Sequence, residues 1–321
     1  MKAVAKYIAG LLIFFALGAT AQEYPSKPVR LIVATAPGGL MDVPARLLAD
    51  HFEKAYGQRM LIENRGGAGG VLAGDAVAKA APDGYTLAQI QAGNVAVNPF
   101  LVKDMPFDPL NDLVPVAPLT SSPVVVAIGA RVPAGTLAEF IALAKREPAN
   151  LNYGTAGRGT TPHLAGELFA LSAGVQLTAV HYRGAGPALA DLLAGQVQVA
   201  FVGFGVVRTH VAAGTLKALA VSQPARLQAA PGIPSAVEAG LPAFEVNTWF
   251  GVVAPRGTPE RIVALVARQI HAMQEDPMVL KRYAENGLEP LRESPAQFAA
   301  RMRRDHEKFR AIIKAAGLKP E

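Results

Sequence analysis

The sequence predicts an α/β protein of two lobes, with parallel-rich sheets flanked by helices. Three observations lead there. Short apolar, β-branched runs alternate with longer helical patterns along most of the chain, as parallel strands joined by helical crossovers require. A chain of 321 residues is roughly twice an ordinary domain. No Gly-, Ser- or Pro-rich linker separates two halves, so the division falls inside compact structure.

Candidate strands lie at 29–33, 60–62, 86–90, 114–119, 123–128, 151–153, 178–180, 199–202, 218–221 and 248–253. Helical patterns occupy 42–56, 70–80, 136–146, 162–173 and 186–193 between them. In the first helix, Ala45, Leu48, Phe52 and Ala55 repeat at the 3/4 spacing of a buried face. Helices at 259–274, 277–286 and 295–316 close the chain; Thr258 and Ser294 stand as N-caps just before Pro259 and Pro295. The chain is expected to cross between lobes twice. One crossing is near 120–123, where two strand-like runs meet through a Ser121-Ser122-Pro123 turn, and the other is near 242–247. Lobe one is then 22–122 plus 246–321, and lobe two is 123–245.

The first residues read as an export signal. Lys2 and Lys6 precede an apolar run from Tyr7 to Leu17, and Ala19-Thr20-Ala21 offers a small-x-small cleavage site. The run is too short to span a membrane, which takes about 20 residues. Cleavage after Ala21 removes residues 1–21 and leaves 321 less 21, or 300 residues, in the periplasm. The chain has no Cys, which excludes a lipid anchor on Cys, disulfides and thiolate chemistry. The formal charge is +6, or +6 − 2 = +4 without Lys2 and Lys6, a modest excess that suits anions. The basic residues are scattered with no aromatic interleaving, so nucleic acid is not a partner.

Two Gly-rich turns carry the binding chemistry. In the first, the strand through Leu31 and Val33 enters Thr35-Ala36-Pro37-Gly38-Gly39-Leu40-Met41-Asp42 and goes straight into a helix. Gly38 and Gly39 let a ligand approach the backbone, and the helix start offers free N–H groups and a positive dipole end to an anion. In the second, Thr155, Gly157, Arg158, Gly159, Thr160 and Thr161 precede Pro162 and His163 at another helix start. The glycines and hydroxyls suit an anion-binding nest. Thr160 stands where a P-loop needs Lys, so nucleotide phosphate is not expected. Both stretches also read as ordinary strand-to-helix turns. A third, 63–70, lacks the dinucleotide spacing and reads as close backbone packing.

Catalytic signatures are missing. There is no G-x-S-x-G elbow. His51, His163, His181, His210, His271 and His306 are scattered without metal-ligand spacing. No metal or cofactor is expected, and the chain reads as a binding protein. Asp42 and His163 are weak acid/base candidates for an alternative periplasmic enzyme, and a sensor presenting its ligand to a kinase is a further alternative.

In these blocks the chain resembles the substrate-binding proteins of tripartite tricarboxylate transporters, the Tct/Bug family. The resemblance runs over essentially the whole mature chain. It rests on Ala36-Pro37-Gly38-Gly39 with Asp42, on Glu63-Asn64-Arg65 and Gly67-Ala68-Gly69-Gly70, and on Pro82-Asp83-Gly84-Tyr85. It continues through the 154–163 turn, Tyr182-Arg183-Gly184, Gly195-Gln196-Val197 and Trp249-Phe250-Gly251. The resemblance implies a two-lobed, type II-like periplasmic binding protein of the Venus-flytrap kind. Its lobes close on a small carboxylate held by the two turns, and it works as a monomer with membrane transporter subunits. It implies binding roles for residues 35–42 and for Thr155, Gly157, Arg158, Gly159, Thr160, Thr161 and His163. Asn94 and Trp249 are further possible contacts. Departures bear on specificity: Ala34 and Thr35 replace a common Pro-aromatic pair, Met41 replaces a common Thr or Ser, and Phe201-Val202-Gly203-Phe204 carries no acid or amide. Gly203 and Phe204 therefore point to a less polar pocket, suited to an acid with an apolar or aromatic body rather than an amino acid.

Overall fold

The computed structural model describes residues 24–35, 37–158, 160–182 and 185–320. The expected signal peptide and its cleavage site, and the candidate contacts Ala36 and Gly159, lie outside the described residues. In chain order the elements are β1 (Val29–Val33), α1 (Asp42–Tyr56), β2 (Met60–Asn64), a 3-10 turn (Ala68–Gly70), α2 (Val71–Ala78), β3 (Thr86–Gln91), α3 (Ala92–Ala96), α4 (Asn98–Leu101), β4 (Leu113–Gly129) and α5 (Leu137–Arg146). Then come β5 (Asn152–Thr155), α6 (Thr161–Ala173), β6 (Thr178–His181), α7 (Ala185–Ala194), β7 (Val199–Gly203), α8 (Phe204–Ala212) and β8 (Leu216–Val221). The chain ends with β9 (Asn247–Pro255), α9 (Glu260–Met273), α10 (Pro277–Glu285), β10 (Glu289–Pro290) and α11 (Pro295–Ala315). No helix among the described residues is long and apolar enough to cross a membrane.

Two sheets share one strand. The first runs β2-β1-β3-β9-β4-β10 and the second β6-β5-β7-β4-β8. Parallel pairing belongs to the strand–helix–strand units: β1 with β2 and β3, β5 with β6 and β7. Strands β4 and β9 pair antiparallel with their neighbours. The Ser-Ser-Pro turn expected at 120–123 is not a turn. A single 17-residue strand, β4, runs through it, pairing with β9 over 113–123 and with β7 and β8 over 124–129. Pro115 and Pro118 are tolerated because the register shifts beside them, at bulges where a missing N–H does least harm.

The helix starts follow the local sequence with one correction. Ser294 caps α11 as expected: its Oγ accepts from Gln297 N at 3.3 Å, and Gln297 Oε1 accepts from Ser294 N at 2.9 Å, a capping box. Thr258 does not cap α9. Pro259 holds the N-cap position, its carbonyl accepting from Ile262 N at 2.9 Å, while the Thr258 hydroxyl turns back to donate to Pro255 O at 2.8 Å.

Each sheet has its own core. Phe52, Trp249 and Phe298 anchor the first; Phe140, Tyr153, Phe169, Phe201 and Phe244 anchor the second. Helix α11 serves both: Phe298 and Met302 pack in the first core, and Phe309, Ile312 and Ile313 in the second. Trp249 is a core residue, its Nε1 donating to Asp305 Oδ2 at 2.7 Å and its ring meeting Phe298 edge-on. The 63–70 stretch is close backbone packing, as expected: Gly69 O accepts from Asn94 Nδ2 at 2.5 Å and Asn98 Nδ2 at 3.0 Å.

Candidate ligand-binding site

A cavity of about 620 Å³ opens where β4 passes from the first sheet to the second, beside the start of β9. Its walls come from five places: the turn after β1 (Thr35, Pro37, Gly38, Gly39, Leu40, Met41), the start of α6 (Thr160, Thr161, Pro162, with Ala156 before it), Ala185 at the start of α7, the end of β7 with the start of α8 (Val202, Gly203, Gly205, Val206), and the strands Gln91, Ser122, Val124, Thr248 and Phe250.

The turn after β1 is built by its own residues. Gly38 has φ +80°, a left-handed conformation that favours glycine. Asp42 closes the turn: Oδ2 accepts from Gly38 N at 3.2 Å and Arg46 Nε at 2.8 Å, and Oδ1 accepts from Asn64 Nδ2 at 3.2 Å. Burial opposes ionisation of this carboxyl, but the bonds from Arg46, Asn64 and Gly38 outweigh it and hold the pKa below the usual range. Asp42 is thus an ionised carboxylate committed to protein donors and does not line the cavity.

Helix starts dominate the rest of the wall. α1, α6, α7 and α8 all begin at the cavity, so the positive ends of their dipoles converge on it. Neither α6 nor α8 is capped by a side chain. Thr160, at the N-cap of α6, uses its hydroxyl to donate to Gly157 O at 2.6 Å, and Gly203, at the N-cap of α8, has none. No charged side chain occurs among the described lining residues. The site therefore offers an anion partial positive charge and neutral donors, against an apolar body of Leu40, Met41, Val124, Val202, Val206 and Phe250. The hydroxyls of Thr35 and Ser122 are buried without a partner. No lining residue offers an acid/base pair, and no group of His, Asp and Glu among the described residues could hold a metal.

Of the residues singled out in the sequence, Thr35, Pro37, Gly38, Gly39, Leu40, Met41, Thr160, Thr161 and Gly203 line this cavity. Asp42, Asn94, Thr155, Gly157, Arg158, His163 and Phe204 do not. Asn94 is buried and holds the Gly69 turn, its Oδ1 accepting from Gln91 N at 2.9 Å. Thr155 Oγ1 pairs with His181 Nδ1 at 2.8 Å and accepts from Gly157 N at 3.2 Å, so both residues shape the loop from behind. Arg158 reaches outward to Lys319 O at 3.4 Å. Phe204 packs in a core with Val207. His163 is 2% exposed, its ring edge-on to His181 at 4.7 Å. Ser122, Val124, Thr248 and Phe250 carry no local signal, since each sits inside a strand, and Gln91 ends β3 as the N-cap of α3.

A model of the family described as the tripartite tricarboxylate transporter family receptor matches residues 44–318. A UPF0065 protein of Bordetella bronchiseptica is 36% identical over 312 residues, covering 97% of this chain and 92% of that protein. A solved structure of an R. palustris protein with adipate superposes with a TM-score of 0.84 at 33% identity, covering 93% of this chain and all of the other. MatC from Rhodopseudomonas palustris with bound malate gives 0.79 at 33% identity, covering 90% of this chain and all of the other. The two-sheet architecture is thus that of the periplasmic binding proteins, and the chain belongs to the tripartite tricarboxylate transporter receptor family, whose members are periplasmic solute-binding receptors and not enzymes.

Proposed function

We propose that this receptor is exported by cleavage after Ala21, captures a small organic carboxylate between two lobes, and delivers it to a tripartite tricarboxylate-type membrane transporter. One observation carries the reading: four helix starts converge on a cavity that has no charged side chain among its described lining residues. Such a wall suits a carboxylate, whose charge is met by N–H groups and hydroxyls without a fixed counter-ion. The adipate and malate held by the two solved relatives agree with this class. The lobes are taken as 22–122 plus 246–321, and 123–245, parting where β4 leaves the first sheet and where the chain returns to it at the start of β9.

The ligand body is apolar or aromatic, matched to Leu40, Val124, Val202 and Phe250. An amino acid fits poorly, because its ammonium needs an acceptor and the nearby Asp42 is engaged by Arg46. Thermal unfolding against a panel of aliphatic, dicarboxylic and aromatic acids, amino acids and sugars tests this. A true ligand at a hundred times its Kd stabilises the fold by about 2.7 kcal/mol, a shift of several degrees. Stabilisation by sugars or amines alone, with every carboxylate inert, overturns the reading.

A further inference from the structure

His181 and Thr155 face each other across the parallel ladder of β5 and β6. His181 is exposed and Thr155 is fully buried, so the pair runs from solvent into the second sheet's core side. Thr155 Oγ1 accepts from Gly157 N at 3.2 Å and lies 2.8 Å from His181 Nδ1. A hydroxyl carries one proton, and a buried one needs an acceptor. Gly157 N can only donate, so the acceptor is Nδ1, bare in the neutral ring.

From Thr155 the bonds lead on to the cavity. Gly157 has φ +134°, a conformation that side chains rarely adopt. Its carbonyl accepts from Thr160 N at 3.3 Å and from Thr160 Oγ1 at 2.6 Å. Thr160 and Thr161 line the cavity, and Thr161 Oγ1 accepts from Thr248 Oγ1 at 2.9 Å. A proton on the His181 ring reverses the first of these bonds. Both nitrogens of an imidazolium donate, so Nδ1 then gives a bond to Thr155 Oγ1. The hydroxyl's own proton loses its acceptor in a buried place, and the turn has to move to supply one. The charged and titratable groups around this pair are His163, edge-on to the ring at 4.7 Å, Glu167 behind it on α6, Arg158 in the turn, and Asp191 of α7, which accepts from the Tyr182 hydroxyl at 2.7 Å. Of the two stacked rings His181 charges first, since its charge is one cause that keeps His163 neutral down to about pH 4.

We infer that His181 is a positioning residue for ligand capture: through the Thr155 hydroxyl it holds the Gly157 turn, and with it the Thr160 wall of the cavity, only while its ring is neutral. The inference rests on the carboxylate reading above and adds a control on the same site.

Two measurements test it, the first without ligand. In His181→Phe the ring still packs on His163 but the nitrogen is gone. Amide exchange followed by NMR at pH 7.5 should then be roughly tenfold faster at Gly157 and Thr160 than in the wild type. Unchanged exchange overturns the inference. The second measurement is calorimetric titration with adipate, malate, benzoate and phenylacetate at pH 8 and pH 6. The wild type should lose roughly fivefold in affinity over that range for an acid it binds, the effect of one hydrogen bond. His181→Gln, whose amide oxygen accepts at every pH, should flatten the profile, and so should Thr155→Val. Thr155→Ser, which keeps the hydroxyl, should retain it. A flat wild-type profile, or a slope that survives His181→Gln, overturns the inference and leaves the carboxylate reading standing. Faster exchange in His181→Phe with none of the four acids bound leaves the hold on the turn standing and overturns the carboxylate reading.

Discussion

Acidification from pH 6.5 to pH 4 should cost this protein about 3 kcal/mol of stability through His163 alone. The residue is 2% exposed and its pKa is pushed down from 6.5 to about 4. Burial is the main cause, with the charges of His181 and Arg158 adding to it. Glu167 Oε1, 3.7 Å from the ring, already accepts the Tyr153 hydroxyl at 2.5 Å. Above pH 6.5 the imidazole is neutral in both folded and unfolded chains, and its contribution is fully present. Between 6.5 and 4 the unfolded chain takes up a proton that the folded chain refuses, so stability falls as pH falls. At 1.36 kcal/mol per pH unit that window is worth about 3 kcal/mol. Urea unfolding of the wild type and His163→Gln from pH 7 to 4 checks it: the stability difference between them should shrink by about that amount. Parallel curves would contradict the assignment. His163 lies in the first turn of α6, whose start walls the cavity, but it stays neutral in the folded chain down to about pH 4, so ligand affinity should not respond to it above that pH.

Gly205→Ala should weaken ligand binding by roughly ten- to a hundredfold. Gly205 lies in the first turn of α8, carried by the second sheet. Facing it is the turn between α10 and β10, carried by the first sheet. A Cβ at 205 would stand 2.2 Å from Asn286 O and 3.0 Å from its carbonyl carbon. Gly287 mirrors the constraint, its own Cβ position falling 2.7 Å from Gly205 N. Both walls are backbone, so no side chain can swing aside. Overpacking of this kind costs about 1–3 kcal/mol. On the proposed closure of two lobes, parting the two walls relieves the clash, and the penalty falls on the closed form that would hold the ligand. Titration of the variant should show lost affinity, with a melting temperature without ligand close to the wild type. Unchanged affinity with a lowered melting temperature would mean that the clash is absorbed within one lobe.

What the sequence made legible follows from which interactions are local. Helix α1 is found at the expected limits of 42–56: Ala45, Leu48 and Phe52 are buried and Gly57 ends it with φ +65°, while Ala55, the fourth residue expected on the buried face, is exposed. Ser294 before Pro295 announces α11 in the same way. Helix α8 has no signal in the sequence, since Phe204-Gly205-Val206-Val207 continues the apolar run of the strand before it. β4 reads as two strands in the sequence because Ser121-Ser122-Pro123 has turn chemistry; only the pairing with β9, β7 and β8 shows that the strand is continuous.

The site divides along the same line. Pro37 to Met41 and Thr160 to Thr161 were visible because a Gly-rich strand-to-helix turn is local. Ser122, Thr248 and Phe250 were not, because nothing in a strand records that it borders a cleft. Chain proximity also drew in residues that point elsewhere. Thr161 faces the cavity, while His163, two residues on and about 200° around the helix, faces the core. Gly203 lines the wall, while Phe204 packs behind it.

The central claim is that neutral donors at converging helix starts hold a carboxylate charge. Titration of the best-binding acid against its own methyl ester at neutral pH tests it most directly. The ester keeps the body and shape and removes the charge. Hydrogen bonds to a charged group are worth about 1.5–3 kcal/mol, so the ester should bind at least tenfold more weakly than the acid. An ester that binds as tightly as its acid would contradict the account.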